Sequence, residues 1–332
     1  DSMRNPNARK YVRSIAVFPT KTTSKRNQPF SKKKHSSTRS SAMLRALAVA
    51  LLLSACTEAT ARGFFPTASS PDSTWWAAVQ TCRFRDDSTA ELRLAHGQRL
   101  DSLLTAALRQ DNNPLSALQS APEGVLRVVS SDKKVVAYSF AVPLASGEYA
   151  FFGLVHVQFG PITTLTPLTP CLSFDAFTDG DADHWPSGLI YSLQATTYRR
   201  TTRYHALMFR PHAQQAQQKW VEPWVFGRPL RVSAASTECP SLPLYFGARV
   251  FAVKDFAGTH FNSPPKRLLL RYAPEVSASM RFGKSGNEIL VDEVAPMRHG
   301  STGDFRTYGP TLAVDRLYFD RGKWTLQPVE NP

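Results

Sequence analysis

The sequence lacks the short motifs that identify the commonest enzyme classes. It contains no G-x-S-x-G nucleophile elbow, no H-E-x-x-H zinc motif, no phosphate-binding glycine loop and no dinucleotide-binding fingerprint. No catalytic residue is therefore assigned from a motif. We interpret the chain as a binding or structural accessory module. The alternative is a hydrolase that acts on glycans or peptides through carboxylates that the linear sequence does not reveal.

Cysteine is scarce, with four residues in a chain of 332. No two of these cysteines have the C-x-x-C spacing that is typical of a zinc site. Apart from Cys56, the thiols are Cys82, Cys171 and Cys239. In an oxidising compartment they allow one disulfide and leave one cysteine over. The sequence does not choose among the three possible pairings.

The apolar run at 46–53 is too short to cross a membrane, because a spanning helix needs roughly 20 residues. Arg45 precedes this run, and Leu53-Ser54-Ala55-Cys56 follows it with small residues at a cleavage position. This order is typical of a bacterial lipoprotein signal and looks like a lipobox. We predict a signal peptide at 43–55 and lipid attachment at Cys56. The alternative, a buried helix of a cytosolic protein, needs neither the basic start nor the cysteine.

Acidic residues are almost absent from residues 1–42, which hold eleven Lys or Arg and only Asp1. This composition predicts a basic disordered extension, upstream of a true start at Met43. The segment carries ten of the fourteen net positive charges of the chain. Without it a nucleic-acid-binding function loses most of its support, so we expect no nucleic-acid partner. The alternative function for the segment is a basic arm for nucleic acid or anionic lipid.

Regular alternation of helices and strands is also missing, which argues against a doubly wound parallel sheet. We predict a tether at 56–72, a helical segment at 73–120 and a β domain at 121–328. Within the helical segment, 73–84 and 86–114 form the two expected helices. Ser88 or Thr89 caps the second, and an apolar face with Leu100, Leu104 and Leu108 at helical spacing covers a sheet.

The β domain shows a two-residue period from about residue 124. We predict strands near 126–128, 136–142, 151–159, 189–198, 204–211, 220–236, 244–256, 266–273, 276–282, 288–294 and 316–327, with 160–187 as a loop or series of turns. The fold class is therefore mainly β, an antiparallel meander that forms a sandwich or bent sheet, with an N-terminal helical segment. A propeller-like array is the alternative, ranked second because no fixed repeat is found.

Three groups of residues could carry chemistry. Asp179, Asp181 and Asp183 alternate in a loop and could bind Ca²⁺, although a solvated acidic turn explains them as well and no other cofactor is expected. The second group is His156, His205 and His260, which could form a catalytic or metal cluster, with solvated strand faces as the simpler interpretation. The third group comprises tryptophans that could form a platform for sugars or peptides but are expected in the core: Trp75, Trp76, Trp185, Trp220 and Trp224.

A series of landmarks occurs in a fixed order: WPSGLIY (185–191), YHALMF (204–209), FGARVF (246–251), RLLLRYAPEVSASMRF (267–282), VDEVAP (291–296) and YFDRGKW (318–324). Through them the sequence, over roughly residues 120–327, resembles a family of uncharacterised secreted or lipid-anchored proteins of Gram-negative bacteria. The resemblance implies a fold and a location but no catalytic or binding residue. We expect a cell-envelope protein, on the outer membrane facing the periplasm or the cell surface. Its expected partners are the membrane, through Cys56, and a glycan, peptide or protein.

Overall fold

The computed structural model describes residues 89–327, apart from gaps at 111–112, 114, 116–120, 123, 145–146, 161, 172–173, 213–214 and 228–241. These residues belong to one compact unit of the chain. Several predictions lie outside them: the basic extension, the signal peptide with Cys56, the tether, the first helix with Trp75 and Trp76, and both Cys82 and Cys239.

Within the described residues the chain forms one long helix, α1 (Ala90–Gln110), followed by strands. The strands are β1 (Leu126–Val129), β2 (Val135–Pro143), β3 (Tyr149–Phe159), β4 (Ile162–Leu168), β5 (Pro170–Cys171), β6 (Gly180–Asp181), β7 (Trp185–Pro186), β8 (Leu189–Tyr198), β9 (Thr201–Arg210), β10 (Gln217–Phe226), β11 (Leu244–Phe246), β12 (Asp255–Phe256), β13 (Thr259–His260), β14 (Leu268–Tyr272), β15 (Met280–Phe282), β16 (Glu288–Pro296), β17 (Tyr308–Asp320) and β18 (Lys323–Gln327). Two short 3-10 helices, Ala182–His184 and Phe305–Thr307, interrupt them.

These strands form three larger antiparallel sheets. The first sheet has the order β1-β2-β3-β4, and the third has the order β15-β16-β17-β18. The central sheet has the order β6-β11-β10-β9-β8, and β14 also pairs with β10. Two small ribbons, β12-β13 and the parallel pair β5-β7, complete the described strands. The predicted fold class, mainly β and antiparallel with a helix near the N-terminal side, is confirmed.

The central sheet lies between the other two. Tyr204 and His205 are neighbours on β9, so their side chains point to opposite faces. The Tyr204 hydroxyl donates to Asp132 Oδ2 at 2.9 Å, in the turn between β1 and β2. On the other face the ring of His205 lies 5.4 Å from the ring of Trp324, in the third sheet. Both faces of the central sheet are therefore covered at β9.

Helix α1 covers the outer face of the first sheet. Thr89 caps it as predicted, because its Oγ1 accepts the N–H of Leu92 at 3.3 Å. The predicted apolar face is confirmed, and its buried leucines pack against β2 and β3. A Cβ atom at Gly97 would lie 2.7 Å from Val142 Cγ2 and 2.8 Å from Phe152 Cε2. Glycine at this position thus allows the close approach of helix and sheet.

Several strand predictions need correction. The region 160–187 is not only loop, since β4 pairs with β3 over seven residues. The pattern is obscured because Pro167 lies in β4, which an edge strand tolerates. Of the predicted strand at 276–282, only β15 is a strand. The predicted strand at 244–256 is divided into β11 and β12. In the described residues, no helix combines the length and the apolarity that crossing a bilayer requires.

Candidate functional site

The three aspartates predicted for calcium have separate roles. Asp179 Oδ2 lies 2.5 Å from Lys266 Nζ. Asp181 caps the 3-10 helix Ala182–His184, and its Oδ1 accepts the N–H groups of Asp183 at 3.1 Å and of His184 at 3.0 Å. The described part of the chain contains no group of three His, Cys, Asp or Glu side chains placed to hold a metal ion. Asp179 and Asp181, in the acidic segment 179–183, are thus engaged in local contacts.

Asp181 also forms a pair with an imidazole. Its Oδ1 lies 2.9 Å from His184 Nδ1, and both side chains are solvent-exposed. The hydrogen bond from His184 is the main cause that lowers the pKa of Asp181 below its usual value. The carboxylate therefore stays ionised at neutral pH, and the second ring nitrogen of His184 faces away from the pair.

Two exposed aromatic rings flank this acidic segment. Tyr245, on β11, pairs in register with Asp181 on the edge strand β6, and 51% of its surface is exposed. Phe177 is 42% exposed, and its ring meets that of Phe261 at 6.0 Å. Since Phe177 and Asp181 are four residues apart, their Cα atoms are separated by at most about 14 Å. We call Phe177, Asp179, Asp181, His184 and Tyr245 the aromatic rim.

The loop that carries Phe177 is fixed by hydrogen bonds. Asp175 Oδ1 accepts the backbone N–H groups of Phe177 and Thr178 and the Thr178 hydroxyl, each at 2.7 Å. The side-chain hydrogen bond from Thr178 is the main cause that lowers the pKa of Asp175. Arg267 Nη1 donates to the carbonyl of Asp175 at 3.2 Å and also to that of Thr178. The exposed ring thus sits on a rigid support.

Arg267 belongs to a fully buried ion pair beneath the rim. Its Nε donates to Glu222 Oε2, and neither side chain is exposed to solvent. Glu222 Oε1 accepts the N–H of Gly247 at 2.9 Å, and Oε2 accepts the indole N–H of Trp220 at 3.2 Å. Burial raises the pKa of Glu222, against the opposing charge of Arg267. The pair connects β10 with the segments that enter β14 and leave β11.

Gly247 is required at this junction. Its φ of +79° is a backbone conformation that favours glycine. A Cβ atom would lie 2.9 Å from the carbonyl oxygen of Thr178 and 3.4 Å from Arg267 Nη2. Without a side chain, Gly247 can lie close to the loop that carries Phe177. In this position its N–H donates to Glu222.

A second, half-buried cation, Arg210, holds the other end of the same segment. It donates to the Ser187 carbonyl at 2.9 and 2.6 Å and to the Ser187 hydroxyl at 3.1 Å. Its guanidinium stacks on Phe174 at 4.6 Å and lies near Trp220 at 5.7 Å. Burial lowers its pKa to about 10, an effect that the nearby Cys171 partly offsets. The guanidinium of Arg267 lies 5.7 Å from the same ring, so Phe174 is near both cations.

The tryptophan prediction is confirmed for the residues that the structure describes. Trp185, Trp220 and Trp224 have no exposed surface and belong to the main hydrophobic core. Their role in the core leaves Phe177 and Tyr245 as the accessible rings of this region. Cys171 lies in β5 and is half-buried.

The simpler interpretation of the histidines, solvated strand faces, is wrong for two of them. His156 and His205 are buried, because β3 and β9 are covered on both faces. His205 Nδ1 accepts the indole N–H of Trp324 at 3.4 Å, so Nε2 carries the proton and donates to Thr196 Oγ1 at 2.9 Å. His260 is exposed and pairs instead with Asp255 at 2.6 Å.

Sequence reasoning missed the buried pair Glu222 and Arg267 and also a half-buried lysine between the central and third sheets. Lys219 Nζ donates to the Ala278 carbonyl at 2.5 Å and lies 5.6 to 5.9 Å from the rings of three aromatic residues, Tyr191, Phe209 and Tyr272. The N–H of the same peptide group, from Ser279, donates to Asp292 at 2.8 Å. One signal was available, since Glu222 interrupts the apolar run WVEPWVF.

Comparison of the chain with models of protein families, with curated proteins and with solved structures finds no match. The geometry of the rim, of the buried ion pair beneath it and of the exposed surface therefore carries the functional argument.

Proposed function

We propose that this chain is a lipid-anchored cell-envelope protein that acts as a binding module and uses the aromatic rim as its ligand face. The anchor is Cys56, the export signal at 43–55 directs the chain out of the cytoplasm, and the outer membrane is the proposed location. A soluble β domain is then held at a surface that its polypeptide does not cross. The family resemblance supports the same location.

The observation that carries the binding role is the composition and support of the rim. Two exposed rings belong to it: Tyr245 pairs in register with the ionised carboxylate Asp181, and Phe177 lies four residues before Asp181 in the chain. Aromatic rings supply contact area at a low cost in conformational entropy, while carboxylate and imidazole supply directed hydrogen bonds. The buried pair of Glu222 and Arg267 fixes the loop before a ligand arrives, which lowers the cost of binding. This chemistry suits a hydroxyl-rich glycan or an extended peptide.

The competing function, an envelope hydrolase, needs ionisable groups that meet at one pocket. A buried acid, Glu222 on β10, and a buried base, His205 on the neighbouring strand β9, are the candidates for such a pair. His205 pairs with Pro223, one residue beyond Glu222, so the two side chains point to opposite faces of the central sheet. They therefore cannot act as an acid–base pair.

The anchor is tested by changing Cys56→Ser. We expect the variant to move from the membrane fraction to the soluble fraction, because the acyl chains are lost. The measurement is fractionation of cells together with mass spectrometry of the native N-terminus. Diacylated or triacylated Cys56 in the parent protein is the expected result. A Cys56→Ser chain that stays on membranes, or native peptides from residues 1–42, would contradict the proposal.

The ligand face is tested by changing Tyr245→Ala. Fragments of envelope polysaccharides and envelope peptides are screened against the protein, and the affinity of a hit is measured by calorimetry. Loss of a central aromatic contact commonly costs 2 kcal/mol or more, so we expect affinity to fall at least about 30-fold. The matched control is Leu126→Ala, an exposed apolar residue on β1, which leaves affinity unchanged. Equal affinity of both variants would place the ligand elsewhere.

A further inference from the structure

The third sheet contains an irregularity at one end of its longest hairpin. β16 and β17 pair regularly except where Asp292 faces Val314 and Val294 faces Pro310. Three residues of β17, at 311–313, therefore stand opposite the single residue Glu293. This is a β-bulge, a device that redirects a side chain out of the sheet.

Leu312, at the centre of the bulge, combines two unfavourable properties. Its φ is +74°, a left-handed conformation in which an L-residue with a bulky side chain is strained. The other described non-glycine residues with positive φ lie in turns rather than inside a strand: Lys133, Arg199, Arg200, Ala257 and Arg321. Leu312 is also 96% exposed. Strain together with an exposed leucine points to a contact that the isolated chain does not make.

Other exposed apolar residues lie on the same hairpin. Met297 is 56% exposed, and its Sδ would lie 2.8 Å from a Cβ atom at Gly309, so its side chain lies across the backbone of β17. Pro310 and Ala313 are exposed as well. We call Met297, Pro310, Leu312 and Ala313 the bulge tip.

We propose that the bulge tip inserts into the lipid surface to which the chain is anchored, and so orients the domain on the membrane. This inference rests on the proposed anchor, because one leucine and one methionine bind a bilayer weakly without a tether. The 32 residues between Cys56 and Thr89 can span at most about 110 Å. A tether of this length lets the bulge tip reach the bilayer from any position on the domain surface.

The charges around the tip specify the kind of lipid contact. Glu293 accepts the Thr311 hydroxyl at 2.8 Å, and Asp315 lies on the same hairpin. The nearby Arg306 is paired with Asp304 at 2.8 and 2.9 Å. Arg298 and Arg316 are exposed, and the charges of Glu293 and Asp315 balance theirs, so the hairpin is not basic. The contact therefore depends on apolar insertion into the acyl boundary, and we expect little dependence on anionic lipids or on salt.

The contact is measured by photo-crosslinking. A diazirine analogue of leucine replaces Leu312, and the chain is held on phosphatidylcholine vesicles by an N-terminal histidine tag and a nickel-chelating lipid. The matched control carries the analogue at Leu92, which is 48% exposed on α1. We expect the yield of lipid adducts at 312 to exceed that at 92 about tenfold. Equal yields, or adducts at 312 to a second copy of the chain, would overturn the inference.

A second variant separates insertion from stability. Asparagine tolerates the left-handed conformation, so Leu312→Asn keeps the fold. Burial of one leucine changes a partition coefficient on the order of tenfold, and we expect Leu312→Asn to lower by that factor the apparent affinity of the histidine-tagged chain for phosphatidylcholine vesicles that carry a low fraction of nickel-chelating lipid. Leu92→Asn is the control and leaves it unchanged. If Leu312→Asn also leaves it unchanged, the tip does not insert. Because neither measurement uses lipidated Cys56, a failed anchor is recognised separately by mass spectrometry.

Discussion

Replacing Arg267→Met destabilises the protein by about 3–5 kcal/mol, because the carboxylate of Glu222 stays buried without its counter-charge. The remaining donors to Glu222 are the N–H of Gly247 and the indole N–H of Trp220, which do not replace a full positive charge. The loop that carries Phe177 also loses the hydrogen bonds that Arg267 donates to its carbonyls. The free energy of unfolding is measured by urea titration at constant m-value.

Two further variants make this result specific to the ion pair. Arg249 is exposed, so Arg249→Met serves as the matched control and changes stability by no more than about 0.5 kcal/mol. The double variant Glu222→Gln with Arg267→Met removes the unpaired charge and recovers at least about 1 kcal/mol relative to Arg267→Met alone. Strict additivity of the two single changes would show that Glu222 and Arg267 are not coupled.

Acid destabilises the protein through His205. Burial, together with the charge of Arg203, lowers the pKa of this histidine to about 3. The unfolded chain binds the proton near its ordinary pKa of 6.5, so it holds more protons than the folded chain between pH 6.5 and about 3. The contribution of His205 to stability is therefore complete above pH 6.5 and is lost as the pH falls. Between pH 7 and pH 4 this loss amounts to roughly 3 kcal/mol.

The measurement compares the parent with His205→Gln over this range. We expect the difference in free energy of unfolding between the two to change by roughly 3 kcal/mol from pH 7 to pH 4, because only the parent gains a proton at this site on unfolding. Asp101 has the opposite sign, since burial raises its pKa to about 6 and the folded chain binds the proton more tightly. Asp101→Asn is therefore the matched control. A difference that does not vary with pH would mean that His205 is not buried as a neutral ring.

The sequence predicts the elements whose patterns are local. The hairpin of β8 and β9 lies close to its predicted position because alternating residues flank a short turn, in which Arg199 and Arg200 take positive φ values of 46° and 66°. Helix α1 is predicted because its capping residue and its buried leucines follow helical spacing. In both cases the information lies within about 20 consecutive residues.

The errors arise where the environment of a residue is set by distant parts of the chain. His205 was expected on a solvated face, since a two-residue period assumes that one face of a strand is exposed. The third sheet covers that face, and Trp324, the partner of His205, lies 119 residues away. Glu222 and Arg267 are separated by 45 residues, so the sequence around one of them does not indicate that the other is its ion-pair partner. The rim was only partly anticipated, because the sequence shows the acidic segment but not the pairing that brings Tyr245 beside Asp181.

The bond between Trp324 and His205 has a consequence for the order in which the protein can fold. The first sheet pairs neighbouring strands, so it is complete when residue 168 has been made. The inner side of β9 faces Trp324, and the segment at 250–252 also hydrogen-bonds to the backbone of Trp324. The inner side of β9 and the segment at 250–252 therefore remain uncovered until β18, the last strand of the described chain, has been added. A nascent chain therefore exposes apolar strands until Trp324 has been made, so premature termination before residue 324 yields a product that cannot close its core.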